Sequence, residues 1–332
     1  MRRGAIVRIV GIGIVVTILV SLVAILIPWL PDPASKQMDR IEFTYWFATV
    51  ISIGIFALVM SVIIYSVWAF RSPPEDMSDG PSIHGHTGLE IVWTVVPAIL
   101  VIAIGVVSAI VLSQNGNAGT NPMQIKVFAQ QFAWRFQYPD EGNLRTGELV
   151  LPLNRTIQFE MTSADVIHSF WIPEMGQKQD LVPGLDTKII VTPTRTGRFS
   201  LVCTELCGLG HATMRAAVRV LAPSDFDAWV KEQKGGGTTD PGAAVFASAG
   251  CGGCHVFKPA GSNGAIGPSL DNLVADAKKA GEEPAAYVKE SIVNPNKVIT
   301  SGFAPGVMPG SYGESLSAEE IDALVTYLTG TK

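Results

Sequence analysis

The sequence predicts a multi-domain fold: transmembrane helices at the N-terminus, then an all-β sandwich, then a C-terminal all-α domain. Three long apolar runs come first, followed by strand-like stretches over 123–220 and helical stretches over 241–332. The 332 residues suffice for two or three domains. A composition of 48% hydrophobic and 16% charged residues is more apolar than that of an average soluble protein. We therefore expect part of the chain to lie in a membrane.

The apolar runs cover 9–30, 43–70 and 91–112. Each is long enough to cross a bilayer as a helix, for which about 20 residues suffice. The last two predict a two-helix hairpin over 43–112. Residues 1–30 fit either a first transmembrane anchor or a cleaved signal peptide, because a basic start precedes an apolar stretch in both. The arginines at the start hold it in the cytoplasm, so both alternatives place everything after 112 outside.

Residues 120–222 alternate or run β-branched between Pro, Gly and Asn, which predicts a β-sandwich or barrel of about 100 residues. A short helix with Ser224 as N-cap and a flexible linker, "GGGTTD", fill 223–240. The tail, 241–332, predicts a small helical domain. Its last helix begins with Ser317 as N-cap and Glu320 three residues later, the pattern of a capping box.

All four cysteines fall in two short motifs, "CTELCGLGHATM" at 203–214 and "CGGCH" at 251–255. The first combines thiols, an imidazole and a thioether, which suit copper, zinc or iron, and the thioether favours copper. A structural zinc site would leave Met214 without a role. A disulfide in an oxidising compartment would leave the histidine without one. We therefore favour a copper site.

A second histidine ligand can be found by elimination among the five histidines of the chain. His255 belongs to the second cysteine motif. His84 and His86 precede the third apolar run, on the cytoplasmic side. This leaves His168, in the strand-rich part that also holds the first motif, as the expected partner.

The pattern H…C-x-E-x-C-x3-H-x2-M resembles the CuA centre of cytochrome c oxidase subunit II. The order of elements also fits that family, in which a cupredoxin sandwich follows a two-helix membrane hairpin. The resemblance implies two copper ions bridged by two thiolates, each copper also bound by one histidine. Weak axial ligands come from a methionine and a backbone carbonyl. The implied metal ligands are His168, Cys203, Glu205 (through its carbonyl), Cys207, His211 and Met214. The Glu205 side chain would point to a Mg2+ shared with the catalytic subunit.

The motif "CGGCH" resembles a c-type haem attachment site. This implies covalent haem on Cys251 and Cys254, with His255 as the proximal iron ligand. Met308, in "GVMPGS", resembles the distal ligand of cytochromes c and is the only methionine after His255. The alternatives are a thioredoxin-like redox pair at the cysteines and a core-filling role for Met308.

Three further positions match the subunit II family. Glu90 matches a glutamate at the mouth of a proton pathway, although an acidic residue at a helix N-terminus is also favoured by the helix dipole. Phe132 stands where the family often has the tryptophan that accepts electrons from a docked cytochrome c. Trp134 is a candidate for the electron path or for packing behind the copper loop. Both aromatics also fit an ordinary core.

The resemblance implies the electron-accepting subunit of a respiratory oxidase that passes electrons from haem to copper and on to subunit I. Expected partners are subunit I, subunit III, membrane lipid and a donor, either a cytochrome c or a quinol-oxidising complex. The expected place is the bacterial plasma membrane, with both metal domains outside. A net charge of −5 argues against nucleic acid. The alternatives are a CuA-bearing subunit of a nitric oxide reductase and a membrane-anchored copper-binding protein.

Overall fold

The computed structural model describes residues 3–72, 75, 82, 84–234, 240–264, 266–310 and 312–330. The predicted linker falls on 235–239, outside the described residues. Packing divides the chain into two units, one formed by Met1–Asp32 with Asp39–Gln114 and the other by Pro33–Met38 with Asn115–Lys332.

The first unit contains the apolar helices α1 (Arg3–Leu26), α2 (Lys36–Ala69) and α3 (Thr87–Asn115). All three are long and apolar enough to cross a membrane. Helix α1 packs on α2, where the backbone of Gly13 faces Ser61 and the guanidinium of Arg8 lies 5.2 Å from the ring centre of Trp68. The three apolar helices predicted at the N-terminus are confirmed, and whether α1 is a retained anchor or a cleaved signal stays a prediction.

The second unit begins with a β-sandwich of two five-stranded sheets. Its strands are β1 (Met123–Gln130), β2 (Ala133–Tyr138), β3 (Leu144–Thr146), β4 (Leu149–Pro152), β5 (Ile157–Ser163), β6 (His168–Trp171), β7 (Lys178–Leu181), β8 (Thr187–Val191), β9 (Gly197–Cys203) and β10 (Arg215–Leu221). The sheets have the orders β3-β2-β1-β5-β8 and β4-β10-β9-β6-β7. Alternate residues of β5 are buried, as expected of a strand with one face on the core. The predicted sandwich is confirmed.

One strand-like stretch folds differently from its sequence pattern. Residues 123–138 read as one continuous strand, yet they form the antiparallel hairpin β1–β2, in which Gln130 pairs with Ala133. Gln131 and Phe132 form the turn between them. The sequence gives no Gly, Pro or Asn there to mark a turn. The hairpin places Phe132 at the tip of the sandwich instead of within a strand.

The segment Pro33–Met38, here called the interhelix strap, lies along the edge of the sandwich. Ala34 donates its N–H to the carbonyl of Glu174 at 2.8 Å and accepts one from Thr194 at 2.9 Å. The Gln37 side chain accepts a hydrogen bond from the N–H of Thr192 at 2.8 Å. The strap thus supplies backbone and side-chain partners to the chain just beyond β8.

Helix α4 (Pro223–Lys234) packs on the sandwich, and the C-terminal domain contains α5 (Pro241–Ser248), α6 (Leu273–Ala280), α7 (Pro284–Val293), α8 (Tyr312–Ser315), α9 (Ala318–Thr329) and the short strands β11 (Val256–Phe257) and β12 (Ser262–Asn263). Phe246, Ile292 and Leu324 join α5, α7 and α9 in one apolar core. The capping box of Ser317 and Glu320 is confirmed. Ser224 as an N-cap is wrong, because α4 begins at Pro223.

Candidate metal centre and cofactor cavity

The sandwich topology brings the first cysteine motif and His168 together. Strand β9 ends at Cys203, and its neighbour β6 begins at His168 and runs antiparallel to it. The start of β6 therefore lies beside the end of β9. The loop from β9 to β10 carries Cys207 and His211 and ends at Met214, which is fully buried. All these side chains converge at one end of the sandwich.

Each thiol lies beside a different histidine. The sulfur of Cys203 is 3.9 Å from His168 Nδ1, and the sulfur of Cys207 is 3.6 Å from His211 Nδ1. The two sulfurs are 3.8 Å apart, whereas a disulfide needs about 2.05 Å. Met214 Sδ lies 3.7 Å from the sulfur of Cys207. These side chains form a set of soft sulfur and imidazole ligands that contains two thiols, whereas a blue-copper site contains one.

The backbone of Glu205 also faces the cluster, since its carbonyl oxygen accepts a hydrogen bond from the thiol of Cys203 at 3.3 Å. The Glu205 residue itself is exposed. The structure therefore brings all six predicted ligand residues to one place. The ligand atoms of His168, Cys203 and Cys207 all lie within 4.8 Å of one another, close enough for one metal-binding group.

Ionisation of the two thiols is coupled in the metal-free site. Burial opposes the ionisation of Cys203, but hydrogen bonds with His168 and with backbone groups outweigh it and lower its pKa. Burial and the neighbouring Cys203 charge both raise the pKa of Cys207. One thiol therefore ionises readily, and the second gives up its proton when a cation replaces it.

Asp165 orients the buried imidazole of His168. Its Oδ1 lies 2.8 Å from His168 Nε2, and a carboxylate can only accept, so Nε2 carries a hydrogen and Nδ1 is the nitrogen that faces Cys203. Burial opposes ionisation of Asp165, but hydrogen bonds with His168 and the N–H of Gln131 lower its pKa. The charged carboxylate thus fixes both the tautomer and the ring direction.

We expect Asp165→Ala to weaken copper binding by about 10- to 100-fold, the usual effect of removing a group that orients a metal-bound histidine. Competition with a copper chelator, measured on the full chain, gives this number. Asp186→Ala is the matched control, because Asp186 is an exposed aspartate on the same domain. Equal copper affinity in both variants would contradict the orienting role.

Aromatic side chains back the cluster on two sides. Trp134 is 2% exposed, its ring lies edge-on to His168 at 6.2 Å, and its Nε1 donates to the Met214 carbonyl at 3.5 Å. The ring of Phe132 lies directly against the backbone of Gly210, where a Cβ atom would come within 2.5 Å of it. Only glycine can accept this close approach. Gln131 donates to the carbonyl of Cys207 at 2.5 Å, which ties the hairpin to the loop.

The helical domain holds a cavity of about 1300 Å3, open mouth included, around the second cysteine motif. Cys251, Cys254, His255 and Met308 all line it, so both predicted iron ligands face the same space. Most other lining side chains are apolar, including Leu270, Val288, Ile292, Val307 and Leu324. A large flat apolar group held by thiols and an imidazole fits such a cavity.

The hydrogen bonding and burial of His255 suit it to bind a metal through Nε2. Its Nδ1 donates to the carbonyl of Pro268 at 2.8 Å, which leaves the lone pair of Nε2 available. Burial lowers the pKa of His255, so the ring is neutral, as a metal ligand must be. The backbone of Gly267 lies against the ring, where a Cβ atom would come within 2.4 Å of it. Gly267 and Pro268 thus hold the imidazole in place.

Glu90 lies far from this chemistry in sequence, in the first turn of α3. Its Oε1 accepts a hydrogen bond from the N–H of His86 at 3.0 Å, so the carboxylate caps its own helix. This contact is what the helix-dipole explanation requires. The role of Glu90 in a proton pathway stays a prediction.

A membrane-anchored β-sandwich with paired thiols, histidines and methionine, joined to a CxxCH domain, defines a membrane-bound electron-transfer metalloprotein. The sequence profiles agree. "Cytochrome C oxidase subunit II, transmembrane domain" matches residues 21–111, "Cytochrome C oxidase subunit II, periplasmic domain" matches 146–221, and "Cytochrome c" matches 239–332. The chain belongs to the cytochrome c oxidase subunit II family, and it is a subunit of a haem–copper oxidase with an attached cytochrome c domain.

Individual relatives cover most of the chain. Cytochrome c oxidase subunit 2 of Alkalihalophilus pseudofirmus is 30% identical over 91% of this chain and 90% of its own length. The Synechocystis protein of the same name is 29% identical over 66% of this chain and 82% of its own. The crystal structure of the periplasmic domain of subunit II of cytochrome oxidase of Bradyrhizobium japonicum is 33% identical, covers 36% of this chain and 98% of that one, and has a TM-score of 0.34.

Family membership implies copper and haem binding, an oxidase complex containing subunit I, and a membrane protein with a periplasmic domain. The residues present fit both groups. The paired thiols and histidines suit copper, and the lined cavity suits haem.

Proposed function

We propose that this chain takes electrons from a donor at a covalent haem, passes them to a dinuclear copper centre and delivers them to subunit I. The observation that carries the proposal is the pair of thiols, Cys203 and Cys207, each beside its own histidine. Two bridging thiolates let two coppers share one electron, so little geometry changes on oxidation. Dioxygen reduction to water, with proton translocation, takes place in subunit I.

The proposed residue roles follow the geometry. Cys203, Cys207, His168 and His211 would hold the two coppers, with Met214 and the carbonyl of Glu205 as weaker ligands. Cys251 and Cys254 form thioethers with the haem, whose iron is held by His255 and Met308. The exposed Glu205 carboxylate is proposed to bind Mg2+ together with subunit I.

The two sites are joined by the β1–β2 hairpin. Phe132 lines the cavity of the second cysteine motif and also lies on Gly210 of the copper loop. The neighbouring Gln131 is hydrogen-bonded to the carbonyl of Cys207. We propose this hairpin as the electron route from haem to copper. Trp134, behind His168, supports the centre from its other side.

We expect Phe132→Ala to slow electron transfer from haem to copper several-fold, since it removes a ring that lines the cavity and also contacts the copper loop. Phe132→Trp, the residue common in the family, keeps an aromatic ring there and should retain the rate. Flash photoreduction of the full chain, followed at the haem and copper bands, measures it. Equal rates in wild type and Phe132→Ala would remove the hairpin from the route.

The copper loop also offers a surface for a partner. Leu206 and Leu209 are 78% and 81% exposed, an unusual position for two leucines of one loop. We propose that subunit I covers them, with subunit III elsewhere in the complex and lipid around α1–α3. A donor cytochrome c or quinol-oxidising complex delivers electrons to the haem domain. The proposed place is the bacterial plasma membrane, with residues 120–222 and 241–332 as extracytoplasmic copper and haem domains.

The proposal is tested on the full chain, purified in detergent after haem maturation and copper loading. We expect two coppers and one covalent haem per chain, near-infrared absorption and an EPR pattern of one electron shared by two coppers. One copper, or zinc alone, would contradict the centre. Reduction of dioxygen, and not of nitric oxide, by the complex with its partner subunit separates an oxidase from a nitric oxide reductase. Tightly held copper speaks against a copper-delivery protein.

A further inference from the structure

The haem-attachment segment packs tightly against the copper domain. The backbone of Gly147 lies on the carbonyl of Ala247, where a Cβ atom would come within 2.3 Å, and Gly250 meets the Ala133 side chain. Ala133 and Phe132 also line the cavity that holds Cys251. Strand β2 of the copper domain is therefore part of the wall around the haem-attachment site.

Arg135 is a charged residue next to this wall, on the strand face that it shares with Ala133. It lies on β2, two residues after Ala133, and its Nη2 donates to Gln130 Oε1 at 2.6 Å. Its pKa is lowered by burial, while the neighbouring Tyr312, Cys251 and Glu320 act in the opposite direction. Among the described residues no carboxylate lies within ion-pair distance of it. The half-buried positive charge is thus partly shielded from water, and it interacts with the first haem-attaching cysteine.

The side-chain amide of Gln130 is oriented to accept a hydrogen bond from Arg135. Its Oε1 faces Arg135, while its Nε2 is buried without a hydrogen-bond partner in the part of the chain that the structure describes. Rotating the amide would place an N–H group against the guanidinium. Tyr312, which lines the cavity and donates to the Ala249 carbonyl at 3.2 Å, closes the other side. Gln130 thus holds the guanidinium of Arg135 through a hydrogen bond to its Oε1.

We propose that Arg135 is a positioning residue that raises the reduction potential of the haem through its half-buried charge. The inference rests on the proposed function, since it requires haem on Cys251 and Cys254. A haem gains one negative charge on reduction, and a fixed cation nearby stabilises that reduced form. The interaction between two charges grows stronger as the water around them is reduced, and Arg135 is half-buried. The copper domain thus sets the potential of its own electron donor.

The test is an optical redox titration of the haem in the full chain. Arg135→Gln removes the charge and should shift the midpoint potential downwards. Arg135→Lys keeps a charge and should restore most of the wild-type value. Arg198→Gln is the matched control, an exposed arginine on β9 of the other sheet, and should leave the potential unchanged. Hydrogen exchange of residues 247–250 reports whether the domains stay packed together.

An unchanged potential in Arg135→Gln, with or without altered hydrogen exchange, overturns the proposal. Equal downward shifts in Arg135→Gln and Arg135→Lys also overturn it, because the charge is then not the cause. The proposal is supported by a downward shift in Arg135→Gln that Arg135→Lys reverses. Hydrogen exchange of residues 247–250 should then be normal in Arg135→Gln, or be restored to normal in Arg135→Lys. Failure of the proposed function itself looks different, since wild type would then show no covalent haem spectrum to titrate.

Discussion

Cys207→Ser abolishes the near-infrared band and the shared-electron EPR pattern, and bound copper falls from two ions per chain to at most one. The physical reason is that a serine hydroxyl does not supply the soft thiolate that bridges two coppers. Cys207 is also the sulfur next to His211 and Met214, so its loss disconnects both from the centre. Metal analysis and EPR of the full chain measure the effect.

Ala212→Ser is the control for this substitution, because it places a hydroxyl at an exposed position of the same loop. It should keep both coppers and the wild-type spectrum. The haem spectrum should be unchanged in both variants, which shows that the chain has folded. A Cys207→Ser protein that retains two coppers and the shared-electron signal would show that the centre uses another bridge.

Met308→Leu has the second large effect. The haem stays attached, because its covalent bonds are made by Cys251 and Cys254, but its potential falls on the order of 0.1 V, within the about 0.8 V that axial ligands span. Electron delivery to copper then slows in turnover, since a haem of lower potential is reduced less readily by the external donor. Redox titration and stopped-flow reduction of the full chain measure the two effects.

Met161→Leu makes the same chemical change in the core of the sandwich, far along the chain from the haem domain, and should leave the haem potential unaltered. A wild-type potential in Met308→Leu would show that Met308 only fills space in the cavity. A haem that is no longer covalently bound would contradict the assignment of Cys251 and Cys254 as the attachment residues.

Residue chemistry, spacing and the resemblance to the subunit II family together predicted which residues would gather around Cys203 and Cys207. His168 could be predicted because only five histidines exist and four others had different places. The capping box at Ser317 was predictable because both of its members lie within one turn. Such predictions depend on a local sequence pattern or on the small number of residues of one type. Both can be recognised without knowledge of the tertiary fold.

Contacts between distant segments could not be predicted in this way. The turn at Gln131 and Phe132 carries no turn residues, so its cause is the pairing of β1 with β2 across the sheet. Nothing local relates Gln130 or Arg135 to Tyr312, which is more than 170 positions away in the chain. The close contact of Gly147 with Ala247 likewise depends on packing between domains, and a glycine in a loop gives no sign of it.

The interhelix strap has a consequence for what counts as the copper domain. Its backbone pairs with residues 192–194, so the compact unit that contains the copper domain is discontinuous in sequence and includes 33–38 as well as the chain from 115 on. A water-soluble fragment that starts after α3 would leave those N–H and C=O groups unpaired along a sheet edge, which promotes aggregation. Adding the strap as a separate peptide should restore solubility. Because the strap begins at Pro33, any natural cleavage after α1 should fall before that residue.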